Sequence, residues 1–290
     1  MSTAQPVVAL IPTFNRKAVT LACLAMLKTQ TRAPDLIVIS DGGSTDGTPE
    51  AVAAAHPDVT VLRTPGEAWW GGSMAHGFRH LLAQGLDDEA RVLMMNDDIV
   101  LPPDYIATLL EVSLTENAAV CGVTVDAAAR DRVLDAGEYI EWRKYHFPVA
   151  TDWPGERLRD DVAFLPGRAS LVALKMVRRA GNVDDRAFPH YLGDYDFFAR
   201  IRKAGFRMGV TGRTWVGCMT EKTGLGGEAR SLREELKLMT SRRSMRRVTD
   251  HWRFIWRHGP SLHAKARLTT LSILYHGKGI LALLRKGKAA

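Results

Sequence analysis

Apolar positions in the first hundred residues fall into short runs separated by stretches of helical spacing. Residues 7–11, 36–40, 59–63 and 91–96 are rich in Val, Ile, Leu and Met and are bounded by turn residues, so each predicts a strand. Between them, 18–28, 49–55 and 73–84 carry a helical period, with Thr48 and Pro49 forming an N-cap and first-turn pair. Strand–helix alternation predicts an α/β fold whose mostly parallel sheet is flanked by helices. Ligands in such sheets sit outside the carboxyl ends of the strands. Beyond residue 120 the pattern weakens. Residues 139–147 read equally as a strand pair or a loop. Residues 194–204 predict a helix with Phe197, Phe198 and Ile201 on one face. A basic helix is predicted over 230–247, and an apolar one over 268–284 is interrupted by Gly277 and Gly279.

Composition narrows this picture. The chain has 290 residues, 46% of them hydrophobic, enough for one large domain or one with an appendage. The three scattered cysteines, Cys23, Cys121 and Cys218, fit neither a disulfide framework nor a structural zinc site, and a reducing, cytoplasmic setting is expected. Residues 1–6 lack the features of a signal peptide, and no apolar run reaches the ~18 residues a spanning helix needs. Charge divides the chain. Residues 228–290 hold 15 Lys and Arg against 4 Asp and Glu, a net of +11, which leaves 1–227 at −4. The expected organisation is therefore one α/β domain over 1–227, the candidate for any catalytic chemistry, and a basic helical extension over 228–290. Such an extension suits an anionic membrane surface, and no nucleic-acid motif accompanies it; a solvated helical face has the same composition. Trp252 and Trp256, interleaved with Arg253 and Arg257, suit either an interfacial anchor or packing against the domain, and packing is favoured.

The segments just after the strands carry the chemistry. Pro12-Thr13-Phe14-Asn15-Arg16 comes after the first, and Asp41-Gly42-Gly43-Ser44 after the second. A strand-end Asp can accept a hydrogen bond from a base imide or a ribose hydroxyl, while the glycines let a ligand approach; an Asx turn uses the same residues. Trp69-Trp70-Gly71-Gly72-Ser73 comes after the third strand and Asn96-Asp97-Asp98 after the fourth. Adjacent carboxylates at a dry strand end are costly unless compensated, and a hard divalent cation, Mg2+ or Mn2+, prefers such oxygen ligands. Gly193-Asp194-Tyr195-Asp196 opens a predicted helix. Asp194 could take a proton from an attacking hydroxyl, although by itself the segment reads as a helix cap. Asp196 and Arg200 stand four apart and can pair. His190, just before this segment, could face an acceptor or be an ordinary half-buried polar residue. Gly224-Leu225-Gly226-Gly227 reads as a flexible loop.

These segments, in this order, resemble those of the family-2 inverting glycosyltransferases, which have the GT-A fold; the tryptophan segment is similar to that of bacterial rhamnosyltransferase-like members. The likeness extends over about residues 6–220. It implies that Pro12, Thr13, Asn15, Arg16, Asp41 and Gly42 hold the nucleotide of a nucleoside-diphosphate sugar carrying uridine or thymidine. Trp70 and Gly72 would line the donor pocket, with Asn96 and Asp97 beside ribose and diphosphate. Asp98 would ligate the metal and Asp194 would be the general base. Asn96 stands where the family motif begins with an acid, and 215–220 contains Cys218 and no His, so the metal would rest on few protein ligands. The implied acceptor is a glycan or lipid-linked hydroxyl, met in the cytoplasm or at the inner face of the membrane. Two other classes remain to be set against this reading. A sugar-nucleotide-forming nucleotidyltransferase would want a Gly-rich, Arg- and Lys-bearing loop after the first strand. A non-catalytic basic binding protein would leave the strand-end motifs without a purpose.

Overall fold

The computed structural model describes residues 5–64, 68–219, 231–242 and 244–286. The first half runs β1 (Val7–Thr13), α1 (Lys17–Lys28), β2 (Leu36–Asp41), α2 (Thr48–Ala55), β3 (Thr60–Arg63), α3 (Trp69–Ala83), β4 (Arg91–Met95), β5 (Ile99–Val100) and α4 (Tyr105–Glu116). The second continues with β6 (Ala118–Asp126), β7 (Val133–Asp135), β8 (Ala169–Ala173), α5 (Leu174–Ala180), α6 (Gly193–Lys203) and β9 (Arg207–Cys218). The described chain ends in α7 (Leu232–Thr240), α8 (Val248–His258) and α9 (Leu262–Lys286).

The strands form one sheet in the order β3-β2-β1-β4-β8-β6-β9-β5, with β7 paired to β6. From β3 to β4 neighbours are parallel, as the alternation of strand and helix predicts; β8 then joins antiparallel to β4. Every residue of β4, β6 and β8 is buried, so these strands are covered on both faces and show no alternation of apolar and polar positions. Successive β1 side chains alternate between the two cores. Val8 and Leu10 pack with Met74, Phe78 and Phe197 on one face, while Val7, Ala9 and Ile11 pack with Leu24, Ile39 and Tyr105 on the other.

Several boundaries differ from the sequence reading. Helix α3 begins at Trp69 rather than residue 73, so both tryptophans belong to its first turn. Thr48 lies inside α2 rather than at its cap, and Asp46 accepts its N–H at 3.0 Å instead. Residues 139–147 form a loop with isolated bridges between Glu138 and Val149 and between Glu141 and His146. The basic stretch expected as one helix over 230–247 contains α7 and a turn. Ser231 caps α7 by accepting the Glu234 N–H, a Ser-x-x-Glu start signal, and Ser241 ends it in extended backbone. Helix α9 runs through Gly277 and Gly279. The boundary expected at 227/228 and the Gly224–Gly227 loop lie outside the described residues.

The C-terminal helices pack onto the segments that precede β8 and α6. Phe254 of α8 is fully buried in a cluster with Phe164 and Phe188. Trp252 Nε1 donates to Ser272 and Trp256 Nε1 to Thr269, so both indoles join α8 to α9 within the extension rather than to the domain. Arg267 of α9 reaches the Arg143 carbonyl at 2.8 Å.

Candidate active site

The carboxyl ends of β1, β2 and β4 and the first turn of α3 enclose a cavity of about 240 Å³. Eight of the residues to which the resemblance gives a role line it: Pro12, Thr13, Arg16, Gly42, Trp70, Asn96, Asp97 and Asp98. Phe14, Trp69, Ser73 and His190 complete the wall. Asn15, Asp41, Gly72 and Asp194 stand behind this lining.

Asp41 ends β2 and is 1% exposed. Its Oδ2 accepts the N–H groups of Gly43 and Ser44 at 3.1 and 3.0 Å, the Asx turn that its sequence permits. Its Oδ1 is buried and has no partner among the described residues. An unsatisfied carboxylate oxygen beside a cavity is a ready acceptor for a ligand N–H or O–H. Asn15 ties this turn to the first loop. It holds φ +51, donates its N–H to Ser44 Oγ at 2.7 Å and accepts the Thr45 N–H at 2.8 Å. Gly42 N–H donates to the Thr13 carbonyl at 2.8 Å, closing the two strand ends together.

Asp97 is held from all sides. Thr13 and Thr20 hydroxyls donate to its Oδ2 at 3.0 Å each, and Arg16 Nη1 donates to its Oδ1 at 3.0 Å. Burial pushes its carboxyl up from the ordinary value, against the pull of Arg16 and the two hydroxyls. The same Arg16 nitrogen reaches Asp98 Oδ2 at 2.7 Å. Asp98 is more open, its side chain 32% exposed. Asn96 Oδ1 accepts the Trp70 indole N–H at 3.0 Å, so the residue in the motif's first place orients a tryptophan.

The metal expected here has a limited protein ligand set. Among the described residues no group of three or more His, Cys, Asp and Glu side chains is arranged to hold an ion. Asn96 and Asp97 have committed oxygens, and Cys218, paired with Ile99, lies 3.9 Å from Arg168 Nη1. Asp98 remains as the open carboxylate. One carboxylate completed by substrate phosphates and waters is a usual arrangement for Mg2+, so the donor set fits an ion brought in with a diphosphate.

Asp194 opens α6 on the far side of Trp70. Its Oδ2 accepts the Gly167 N–H at 3.1 Å and its Oδ1 the Tyr195 N–H at 3.0 Å. A Cβ on Gly167 would lie 2.4 Å from the Trp70 ring and 3.2 Å from Asp194 Cβ, so only glycine lets the loop pass between them. Gly71 plays a similar part. A Cβ there would lie 2.6 Å from the Phe188 carbonyl, and its N–H donates to Pro189 O at 2.9 Å. These two contacts bring the tryptophan turn, the 188–190 loop and the start of α6 together. Burial is the chief force on the Asp194 carboxyl and raises its pKa, opposed by the Gly167 N–H and the Arg168 charge. Gly72 packs inside this turn against Ala68 and Asp185.

Sequence reasoning passed over Thr20, Gly167 and Arg168. Thr20 had a signal in its position one helical turn after Arg16; the Pro166-Gly167 dipeptide marked only a turn.

The chain matches the family described as glycosyl transferase family 2 over residues 8–169, more than half its length and all the strand-end motifs except the one at Asp194. The chain belongs to glycosyl transferase family 2. This family-2 chain is 27% identical over 209 residues to the N-acetylglucosaminyl-diphospho-decaprenol L-rhamnosyltransferases of Mycobacterium tuberculosis strains CDC 1551 / Oshkosh and ATCC 25618 / H37Rv. The match takes in 63% of this chain and spans 66% of the length of those relatives. A crystal structure of GalNAc-T7 with UDP, GalNAc and Mn2+ superposes with a TM-score of 0.62 at 11% identity, covering 82% of this chain and 48% of that one. At that identity the likeness establishes the fold, GT-A, and no more. Family-2 membership makes the chain a glycosyltransferase and sets aside the nucleotidyltransferase and the non-catalytic binding protein.

Proposed function

We propose that this glycosyltransferase moves a deoxyhexose, L-rhamnose in the first instance, from a uridine- or thymidine-diphosphate donor to a hydroxyl of a lipid-linked glycan, inverting the anomeric centre. The observation that carries the reading is the placement of Asp194. A carboxyl raised by burial is separated from Trp70 only by the Gly167 backbone, and Trp70 lines the cavity that holds Asp97 and Asp98. The mycobacterial relatives supply the sugar and the class of acceptor.

In this mechanism Asp41 Oδ1 accepts the imide N–H of the base, and the Thr13 and Gly42 strand ends form the floor beneath it. Arg16 neutralises Asp97 and Asp98 before the donor arrives and stays close to the incoming diphosphate. A divalent ion, held by Asp98 and the donor's own oxygens, would offset charge on the leaving diphosphate. Asp194 takes the proton of the acceptor hydroxyl as its oxygen bonds to the anomeric carbon. The bond from that carbon to the diphosphate breaks on the opposite face, and the electron pair leaves with the nucleoside diphosphate. Trp70 and Gly167 keep water from the back of the Asp194 carboxyl, so the base is poised above the ordinary aspartate range. The reaction takes place in the cytoplasm, at the inner face of the membrane that carries the acceptor.

A screen of nucleoside-diphosphate sugars by thermal stabilisation, with Mn2+ present, tests the donor. A ligand that binds the folded state raises its stability by mass action. A dTDP- or UDP-deoxyhexose should raise Tm and then support transfer to a diphospholipid-linked GlcNAc acceptor. Stabilisation by none of these sugars would overturn the assignment.

A further inference from the structure

The transferase reading leaves one large surface without a purpose. Nine of the sixteen large apolar side chains that stand exposed among the described residues lie between Leu236 and Leu281, eight of them in the C-terminal helices. Most of these belong to α9. It is latched to the protein through Leu268, which is 3% exposed, through the Arg267 bond to the Arg143 carbonyl, and through the Trp252 indole on Ser272. Its outer side presents Leu262, Ile273, Leu274 and Leu281, more than half exposed each, with Trp256 of α8 beside it through the bond to Thr269. On a helical projection the four aliphatic residues fall within about a third of the circumference, the width of one amphipathic stripe.

Charge says what this face fits. From Leu262 to Ala290 the sequence has no Asp or Glu, while Lys265, Arg267, Lys278, Arg285 and Lys286 all fall within α9. A second protein surface would meet an apolar stripe with apolar groups and acids at defined points. A bilayer of anionic lipid meets it with acyl chains in the middle and phosphates along the margins, without demanding any particular register. At 1.5 Å per residue the 25 residues of α9 span roughly 37 Å, enough to cross a membrane. No helix among the described residues is apolar enough to do so. A long helix with one apolar side, an excess of cations and too little overall hydropathy to span lies in the interface plane.

We propose that the outer face of α9, together with Trp256, is a docking surface for an anionic lipid bilayer, on which the helix lies flat with its aliphatic stripe among the acyl chains. The proposal stands on this surface; the transferase reading adds only a reason for it, since a lipid-linked acceptor presents its sugar at that height. An indole ring suits the headgroup boundary, and Trp256, bonded to Thr269 at the edge of the stripe, occupies the margin where that boundary would run. The cations add attraction that salt weakens.

The test uses the full chain with vesicles of phosphatidylcholine alone and of phosphatidylcholine containing about one-third phosphatidylglycerol, the share chosen to give the surface a negative potential. Wild type should sediment with the anionic vesicles at low salt, weakly with the neutral ones, and less at high salt. Leu274→Glu with Leu281→Glu should lower vesicle partition at least about tenfold, the effect of driving two charges into the acyl boundary. Tm and donor-induced stabilisation should stay at wild-type values, because both positions are exposed. Wild-type binding by that double variant would overturn the proposal, as would absence of binding to anionic vesicles at low salt. A wild-type dimer that the same variant turns monomeric, with no vesicle binding by either, would assign the face to a second copy instead. Transfer to a short soluble acceptor separates the two readings. If it persists in the variant, the transferase reading is untouched; if wild type binds vesicles yet transfers nothing, this surface survives and that reading falls.

Discussion

Asp194 and Asp196 stand two residues apart on the first turn of α6, and the protein treats them in opposite ways. Asp194 has two backbone N–H donors, and burial raises its carboxyl pKa. Asp196 is wholly buried, yet burial loses there: His258, Arg200 and Arg257 together hold its carboxyl below the ordinary value. Arg200 Nε donates to one oxygen at 2.9 Å, while Arg257 Nη1 and His258 Nε2 meet the other at 3.0 and 2.8 Å. Lys203 Nζ lies 3.1 Å from His258 Nδ1 and can only donate. That leaves the His258 Nε2–H to donate to Asp196, which is consistent with burial keeping this imidazole neutral. A saturated carboxylate is an anchor, and a sparsely bonded one keeps lone pairs for a proton. The anchor joins α6 to α8, so the C-terminal extension holds the helix on which the proposed base sits.

The sharpest way to break the comparison is to remove the base. Asp194→Asn should lower kcat by roughly 10²–10⁴, the usual contribution of general-base catalysis, with donor affinity near wild type. Calorimetric donor binding and single-turnover transfer measure the two separately. Turnover within about threefold of wild type, far inside that range, would refute the base assignment. In the wild type, kcat/KM should fall as pH is lowered through an Asp194 pKa lying above the ordinary aspartate value, because only the deprotonated carboxyl accepts the acceptor's proton.

Next in size is the anchor. Asp196→Ala leaves three buried or half-buried donors facing one another, and losing one partner of a buried ion network costs about 3 kcal/mol. Chemical denaturation should show it. The sign with pH is fixed by the lowered pKa. Stability from Asp196 is present above its unfolded-state pKa and is lost as pH falls through its folded value. The gap between wild type and Asp196→Ala should therefore close in acid. A gap that stays constant to low pH would show that the carboxylate charge does not anchor α8.

Asp194 obeys the opposite sign. Its folded pKa is raised, so its contribution is full below the unfolded-state pKa and is lost as pH rises through the folded one. At neutral pH the ionised carboxyl is a liability, one that the proposed base role would retain. Asp194→Asn should thus raise stability at pH 7 by about 0.5–2 kcal/mol, the usual yield of relieving such a site, and the gain should vanish in acid. The same substitution that nearly abolishes turnover should make the protein harder to unfold.

The two halves of this helix were unequally legible from sequence. Asp194 followed from an ordered set of motifs, and the parallel strands β1 to β4 followed from apolar runs set off by glycine and aspartate turns. The Arg200 partner of Asp196 was also open to view, because a four-residue spacing along one helix is local information. Arg257 and His258 were not: they lie about sixty residues away, and nothing in a run of basic residues says which carboxylate they meet. Strands β6, β8 and β9 escaped for a related reason. Their pairing closes the sheet between segments far apart in the chain, and the all-buried run of β6 has no period by which to separate a strand from a short buried helix. Position alone put Asn96 beside ribose and diphosphate and said nothing of the Trp70 indole that its side chain receives.

That last contact gives the smallest prediction and joins the cavity to the base. Trp70→Phe keeps an aromatic ring against Gly167 and removes the N–H that Asn96 Oδ1 accepts. A neutral hydrogen bond is worth about 1 kcal/mol net, so kcat should fall roughly fivefold if the bond holds the ring in register with Asp194. Donor KM should move little, because Thr13, Gly42 and Asp41 remain in place. Asn96→Asp is the complementary change. It keeps an acceptor for the indole and adds the acid that the family motif carries in this place, so it should preserve kcat at saturating metal and lower the Mn2+ concentration needed for half-maximal activity. Equal loss in both variants would mean that Asn96 acts on the donor directly. Loss in Trp70→Phe alone would place its work in holding the tryptophan wall beside the base.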